Sequence, residues 1–178
     1  MTAVEQDDAS TGRSPLELEW LGRAIDLARE NVDGGGGPFG AVVVRVGEDG
    51  GGEVIATGTN LVTPTLDPTA HAEVVAIRNA CAAVGDFRLP GCVLVSSCEP
   101  CPLCLAASLW ARVDGVVYAA DRDDAALAGF DDRAFYELFA APRERWPEMG
   151  SIRVAHLAHD DRLAPFTAWG SRADRVDY

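Results

Sequence analysis

The 178 residues include no lysine, so all fifteen side-chain cations are arginines, and these are outnumbered by 28 carboxylates for a formal charge of -13. A surface with that field repels phosphate backbones, and no dense basic run offsets it, so a long nucleic acid is not an expected partner and a small ligand is. Aromatic residues make up only 7% of the chain. Long apolar runs are also missing: Arg, Asp, Glu, Gly or Pro interrupts every hydrophobic stretch before about 18 residues, so no membrane span is expected. No secretory signal is recognisable ahead of the cysteines, which are odd in number (five), and three of them crowd into Cys98, Cys101 and Cys104. A disulfide framework is therefore not expected, and a reducing cytoplasm is. A chain that is 48% hydrophobic and 24% charged has the material for one globular domain with its own core.

Residues 1 to 13 have little apolar content and no period, which predicts a mobile tail ahead of a single domain over residues 14 to 178. Ser14-Pro15-Leu16-Glu17 has the form of a helix start. Leu18, Leu21, Ile25 and Ala28 mark its apolar face, and Gly34 to Gly37 end it. Phe39 to Val46 and Val54 to Gly58, joined by a Gly-rich turn, predict a hairpin. Asp67-Pro68-Thr69 predicts the start of a second helix, carried by Val74, Ile77, Cys81 and Val84 and stopped at Gly85. Beyond it the pattern predicts strands at 92–97, 115–120 and 152–156 and helices at 102–112, 131–139 and 165–175. A hairpin followed by alternating strands and helices implies an α/β fold, with helices on both faces of a mixed sheet of five strands.

Two short motifs carry the chemistry. In Pro100-Cys101-Pro102-Leu103-Cys104, Pro102 suits the first position of a helix, which makes Cys101 its cap and puts both sulfurs at the same helix end. The positive end of a helix favours thiolates, and two thiolates plus one imidazole suit zinc, with His71 as the third ligand and a fourth position open to water. Zinc lowers the pKa of such a water to about 7. Glu73 is two residues past His71, so the two side chains converge only beyond the helix tip, where the carboxylate would take a proton from the zinc-bound water and later hand it to a leaving amine. The same cysteines permit another reading, in which Cys98 joins the set to close a structural site with no room for water. A run of glycines before Pro38-Phe39-Gly40 lacks the Lys-Ser/Thr of a phosphate loop, and a loop in which Phe39 lines a pocket fits better. His156 and His159 have no evident third ligand, and Trp110 is either a core residue or a stacking surface.

The His71-Ala72-Glu73 and Pro100-Cys101-Pro102-Leu103-Cys104 pairing resembles the signature of the zinc-dependent cytidine/deoxycytidylate deaminase superfamily. Together with Trp110-Ala111-Arg112, Ala128-Gly129-Phe130-Asp131-Asp132 and Tyr178 at the chain end, it is similar to the bacterial guanine deaminase branch. That resemblance implies a cytidine-deaminase-like three-layer αβα sandwich, one catalytic zinc held by His71, Cys101 and Cys104, a homodimer, and hydrolysis of guanine to xanthine and ammonia by attack at C2. It also implies Glu73 as the proton shuttle, Asn60 facing the base's acceptor groups, Asp132 and Tyr178 completing the pocket, and Phe39, Ala72 and Trp110 as further substrate contacts. Guanosine, a tRNA adenosine, or no substrate at all are the competing readings. The Gly34 to Gly37 and Gly50 to Gly52 runs look longer than typical of that branch.

Overall fold

The computed structural model describes residues 15–47, 51–149 and 154–177; the expected tail, the Ser14 cap and Tyr178 lie outside them. The chain divides between Asp131 and Asp132 into two compact units. The first contains helix α1 (Pro15–Asp33), strands β1 (Gly37–Val46) and β2 (Gly52–Asn60), a single turn α2 (Val62–Thr65) and helix α3 (Ala72–Val84). Strand β3 (Cys92–Cys98), helix α4 (Pro102–Trp110), strand β4 (Gly115–Ala120) and helix α5 (Arg122–Leu127) complete it. The second has α6 (Arg133–Ala140), a 3-10 turn at Arg143–Arg145, α7 (Trp146–Met149) and α8 (Ala164–Gly170). Among the described residues no helix is long and apolar enough to cross a membrane.

The sheet has the order β2-β1-β3-β4, with β1 antiparallel to both neighbours and β3 parallel to β4. The mixed sheet and the hairpin agree with the sequence, but the described residues form four strands, not five. Of the strand expected at 152–156, residues 154–156 have no strand geometry and the others lie outside the described set. A short alternating run is satisfied as a strand only where a neighbour supplies the ladder, and period alone does not provide that neighbour.

Each face of the sheet is covered by helix. On one side Val42, Val44 and Val95 pack with Trp20 and Leu21 of α1. On the other, Ala41, Val43, Cys92 and Leu94 pack with Ala72, Ala76, Ile77 and Ala80 of α3 and with Ala111. Two glycines allow these layers to close on the sheet. A Cβ on Gly40 would sit 2.3 Å from the Ala24 carbonyl oxygen, and one on Gly58 would sit 2.3 Å from both Ala72 O and Ala76 N. The first of these contacts turns the Ala24–Ala28 line of α1 inward. Its buried face is therefore Trp20, Leu21, Ala24 and Ala28, whereas Leu18 and Ile25, expected inside, are exposed.

Helix α3 also begins later than Asp67-Pro68-Thr69 suggested. The Asp67 carboxylate accepts from the Thr69 N–H at 2.8 Å and its hydroxyl at 2.7 Å, so these residues close a side-chain turn and the helix starts at Ala72. Gly85 stops it in the left-handed conformation, as expected. Helix α5 has no counterpart in the sequence reading. It is built on an Asp121–Asp124 capping box, in which each carboxylate accepts a backbone N–H near the other residue.

Candidate active site

His71 and Cys101 are the residues immediately ahead of α3 and α4, both with extended backbone, and neither side chain caps its own helix. Pro102 takes the first helical position after Cys101, and Cys104 lies one turn in and is fully buried. The two helix starts thus aim their side chains at each other. His71 Nδ1 is 3.6 Å from Cys101 Sγ and 3.4 Å from Cys104 Sγ, and the two sulfurs are 3.6 Å apart. A tetrahedron with about 2.3 Å zinc–sulfur and about 2.05 Å zinc–nitrogen bonds has edges of about 3.8 Å between sulfurs and about 3.6 Å from sulfur to nitrogen. The observed triangle fits zinc to within about 0.2 Å on every edge. Among the described residues no fourth donor joins these three. Cys98, which the closed-site reading required, is buried with its Sγ 3.7 Å from the Asp121 carbonyl instead.

Two helix N-termini at one point create a positive potential that favours thiolate there. The hydrogen bond with Cys104 pulls the Cys101 thiol down to about 4, with His71 adding to the effect. The same contact, then burial and the nearby Glu73 carboxylate, push the Cys104 thiol up. A divalent cation bound between the two sulfurs would favour the thiolate of both. Glu73 is only 6% exposed, and burial raises its carboxyl above the ordinary carboxylate range although it hydrogen-bonds with Cys104.

The profile of the cytidine and deoxycytidylate deaminase zinc-binding region matches residues 16–120, which is 105 of the 178 residues. The chain belongs to this deaminase family. It is 47% identical to guanine deaminase of Bacillus subtilis over 160 residues, 89% of this chain and 97% of that one. The X-ray structure of that enzyme superposes with a TM-score of 0.81 at 46% identity, covering 90% of this chain and 98% of the other. A protein solved in complex with 2,6-diaminopurine matches at 39% identity and a TM-score of 0.60, over 65% and 62% of the two chains. The tRNA-specific adenosine deaminase of Haemophilus influenzae is 35% identical over 113 residues, 64% of this chain and 63% of its own.

The other candidates in this deaminase are placed unequally. Asn60 ends β2, half-buried, and its neighbour Leu61 donates its N–H to the carbonyl of Ala70 at 2.9 Å, so Asn60 is tied to the residue that precedes His71. Ala72 is fully buried. Phe39 is half-buried against the α3 side of the core and meets the Phe130 ring edge-on at 5.0 Å. Trp110 is not a core residue: it is 59% exposed, under the Arg112 guanidinium, and at the far end of α4. It is six helical steps from Cys104, about 9 Å along the axis. Asp132 opens the second unit, half-buried, just ahead of α6. His159 Nδ1 accepts the Asp161 N–H, and His156 lines a shallow hollow with Trp146.

One pair escaped the sequence reading. Glu99, inside the cysteine motif, accepts from the backbone N–H of Arg122 at 3.1 Å, from its Nε at 3.0 Å and from its second guanidinium nitrogen. This bidentate ion pair holds Glu99 below the ordinary carboxylate range and ties the loop that carries Cys101 to the start of α5. The signal was a carboxylate between two cysteines with an Arg following the next strand, and it has meaning only once β3 and β4 are known to be parallel neighbours.

Proposed function

We propose that this enzyme removes the 2-amino group of guanine, with water adding and ammonia leaving to give xanthine. The observation that carries the substrate is the extent of likeness: the guanine deaminase match spans nearly the whole relative, second unit included, whereas the tRNA deaminase match covers 63% of its counterpart. The charge of -13 points the same way, since a polynucleotide substrate needs a basic groove.

In this reading His71, Cys101 and Cys104 would hold zinc, which would supply hydroxide from water at neutral pH. Glu73, desolvated and beside Cys104, accepts the proton of the attacking water and delivers it to the departing 2-amino nitrogen. Its raised affinity for protons suits a group that must hold one between two steps. Asn60 donates its amide to the base's acceptor edge, and Asp132 accepts the N–H donors on the other edge, with Phe39 against the ring and Ala72 beneath it. Tyr178, outside the described residues, completes the pocket. All five cysteines are free thiols, which supports a reducing cytoplasmic setting, and a homodimer belongs to the same reading.

The test is ammonia release from guanine, guanosine, adenine, cytosine and cytidine, with Glu73→Gln as the blank. Guanine is expected to be turned over fastest. Faster turnover of guanosine would transfer the assignment to the nucleoside, and no turnover of either would overturn it.

A further inference from the structure

We infer that Asn31, in the last turn of α1, is a positioning residue that fixes the substrate-facing amide of Asn60. The inference rests on the proposed guanine reading and adds a residue to it. Asn31 Nδ2 donates to two carbonyl oxygens at once, Gly37 O and Asn60 O, each at 2.8 Å. Gly37 and Asn60 are pairing partners at the open mouth of the β1–β2 hairpin, where the register shifts between Gly37 and Gly40. A broken ladder does not hold its last pair firmly, and the Asn31 carboxamide, with one hydrogen for each strand, supplies the missing closure.

The glycine run acquires a role from this contact. The Gly36 N–H donates to the Asn31 carbonyl at 2.8 Å, and a Cβ on Gly36 would meet Asn31 Nδ2 at 2.3 Å. A Cβ on Gly37 would meet Asn60 Oδ1 at 2.9 Å. That oxygen accepts the Val62 N–H at 3.3 Å, which leaves the –NH2 end of Asn60 as the donor. Asn60 is therefore held on three sides: its carbonyl by Asn31, its side-chain oxygen by Val62, and its flank by the bare backbone of Gly37. An amide donor held this way loses little freedom when it meets a purine acceptor.

A double-mutant cycle tests the inference, with kcat and KM for guanine, zinc content and melting temperature measured for each protein. Asn31→Ala is expected to lower kcat/KM about tenfold, mainly through KM, with zinc retained. In an Asn60→Ala background the same change is expected to cost less than twofold, because the group it positions is gone. If Asn31→Ala folds poorly, Gly37→Ala disturbs the same carboxamide from the other side and should show the same dependence on Asn60. Losses that multiply across the cycle, an Asn31→Ala enzyme as fast as the parent, or an Asn60→Ala enzyme as fast as the parent would overturn the inference while leaving the activity standing. A parent enzyme that releases no ammonia from guanine would overturn the functional reading and the inference with it.

Discussion

Every buried side chain among the described residues belongs to the first unit, and none to the second. Strands β1 and β3 hold Val42, Val43, Val44, Leu94 and Val95 with essentially no exposure, so that unit has a two-faced core. Beyond Asp132 the chain is no less apolar, yet Phe135 is 57% exposed, Leu163 59%, Phe139 61% and Phe166 71%. Within it the Trp146 indole N–H donates to the Ala141 carbonyl at 3.1 Å, and its ring meets Phe139 edge-on. The lesson is that the candidate metal site and the buried core belong to the same unit, while the other presents apolar side chains that its own short helices leave exposed.

The strongest way to break that comparison is at the metal. Cys101→Ser and Cys104→Ser are each expected to abolish zinc binding and turnover together, and Cys98→Ser to preserve both, checked by elemental analysis beside ammonia release. Glu73→Gln is expected to keep zinc and fold but lose about 10²- to 10⁴-fold in kcat. A Cys98→Ser protein without metal would restore the closed three-sulfur site.

At the level of folding, Leu94→Ala should cost about 2–4 kcal/mol in denaturant unfolding, because it opens a hole under α3. Phe166→Ala in the second unit should change the same measurement by less than about 0.5 kcal/mol. Equal losses would mean that the second unit shares the core.

The smallest effect is a pH dependence in the turn before His71. Thr69, through its hydroxyl and N–H, and more weakly Arg78, hold the Asp67 carboxyl below its ordinary value. A carboxyl lowered by folding stabilises the protein above its ordinary pKa, and that contribution disappears as the pH falls through the lowered value. The melting deficit of Asp67→Ala should accordingly be larger at pH 7 than near pH 3, with circular dichroism melts as the measure.

What could be read from the sequence was local. Pro102 at the first helical position, Cys101 as the residue ahead of its helix, Gly85 as a stop, and the hairpin all depend on neighbours in the chain, and all are in the structure. What was misread depended on distant partners. Leu18-Ile25 and Leu21-Ala28 are both seven-residue stripes on α1, and only the close approach at Gly40 decides which one faces the sheet. The Asp67 turn displaced a helix start because a carboxylate beside Thr69 satisfies the same backbone donors in a turn as at a cap. Asn31 and Arg122 have no motif at all, since Asn60 lies 29 residues from the one and Glu99 23 from the other.

The proximity of Cys101 and Cys104 also bears on how the enzyme must be handled. Sulfurs 3.6 Å apart need to close by roughly 1.5 Å to form a covalent bond, and one of the pair is already inclined to be a thiolate. Bound zinc would keep both electron pairs occupied. Once a chelator has stripped it, dissolved oxygen can take two electrons from the pair and leave a cystine that no longer accepts metal. Activity lost to dialysis against chelator should return on adding zinc alone only under argon, and should need a thiol reductant first if the sample has stood in air.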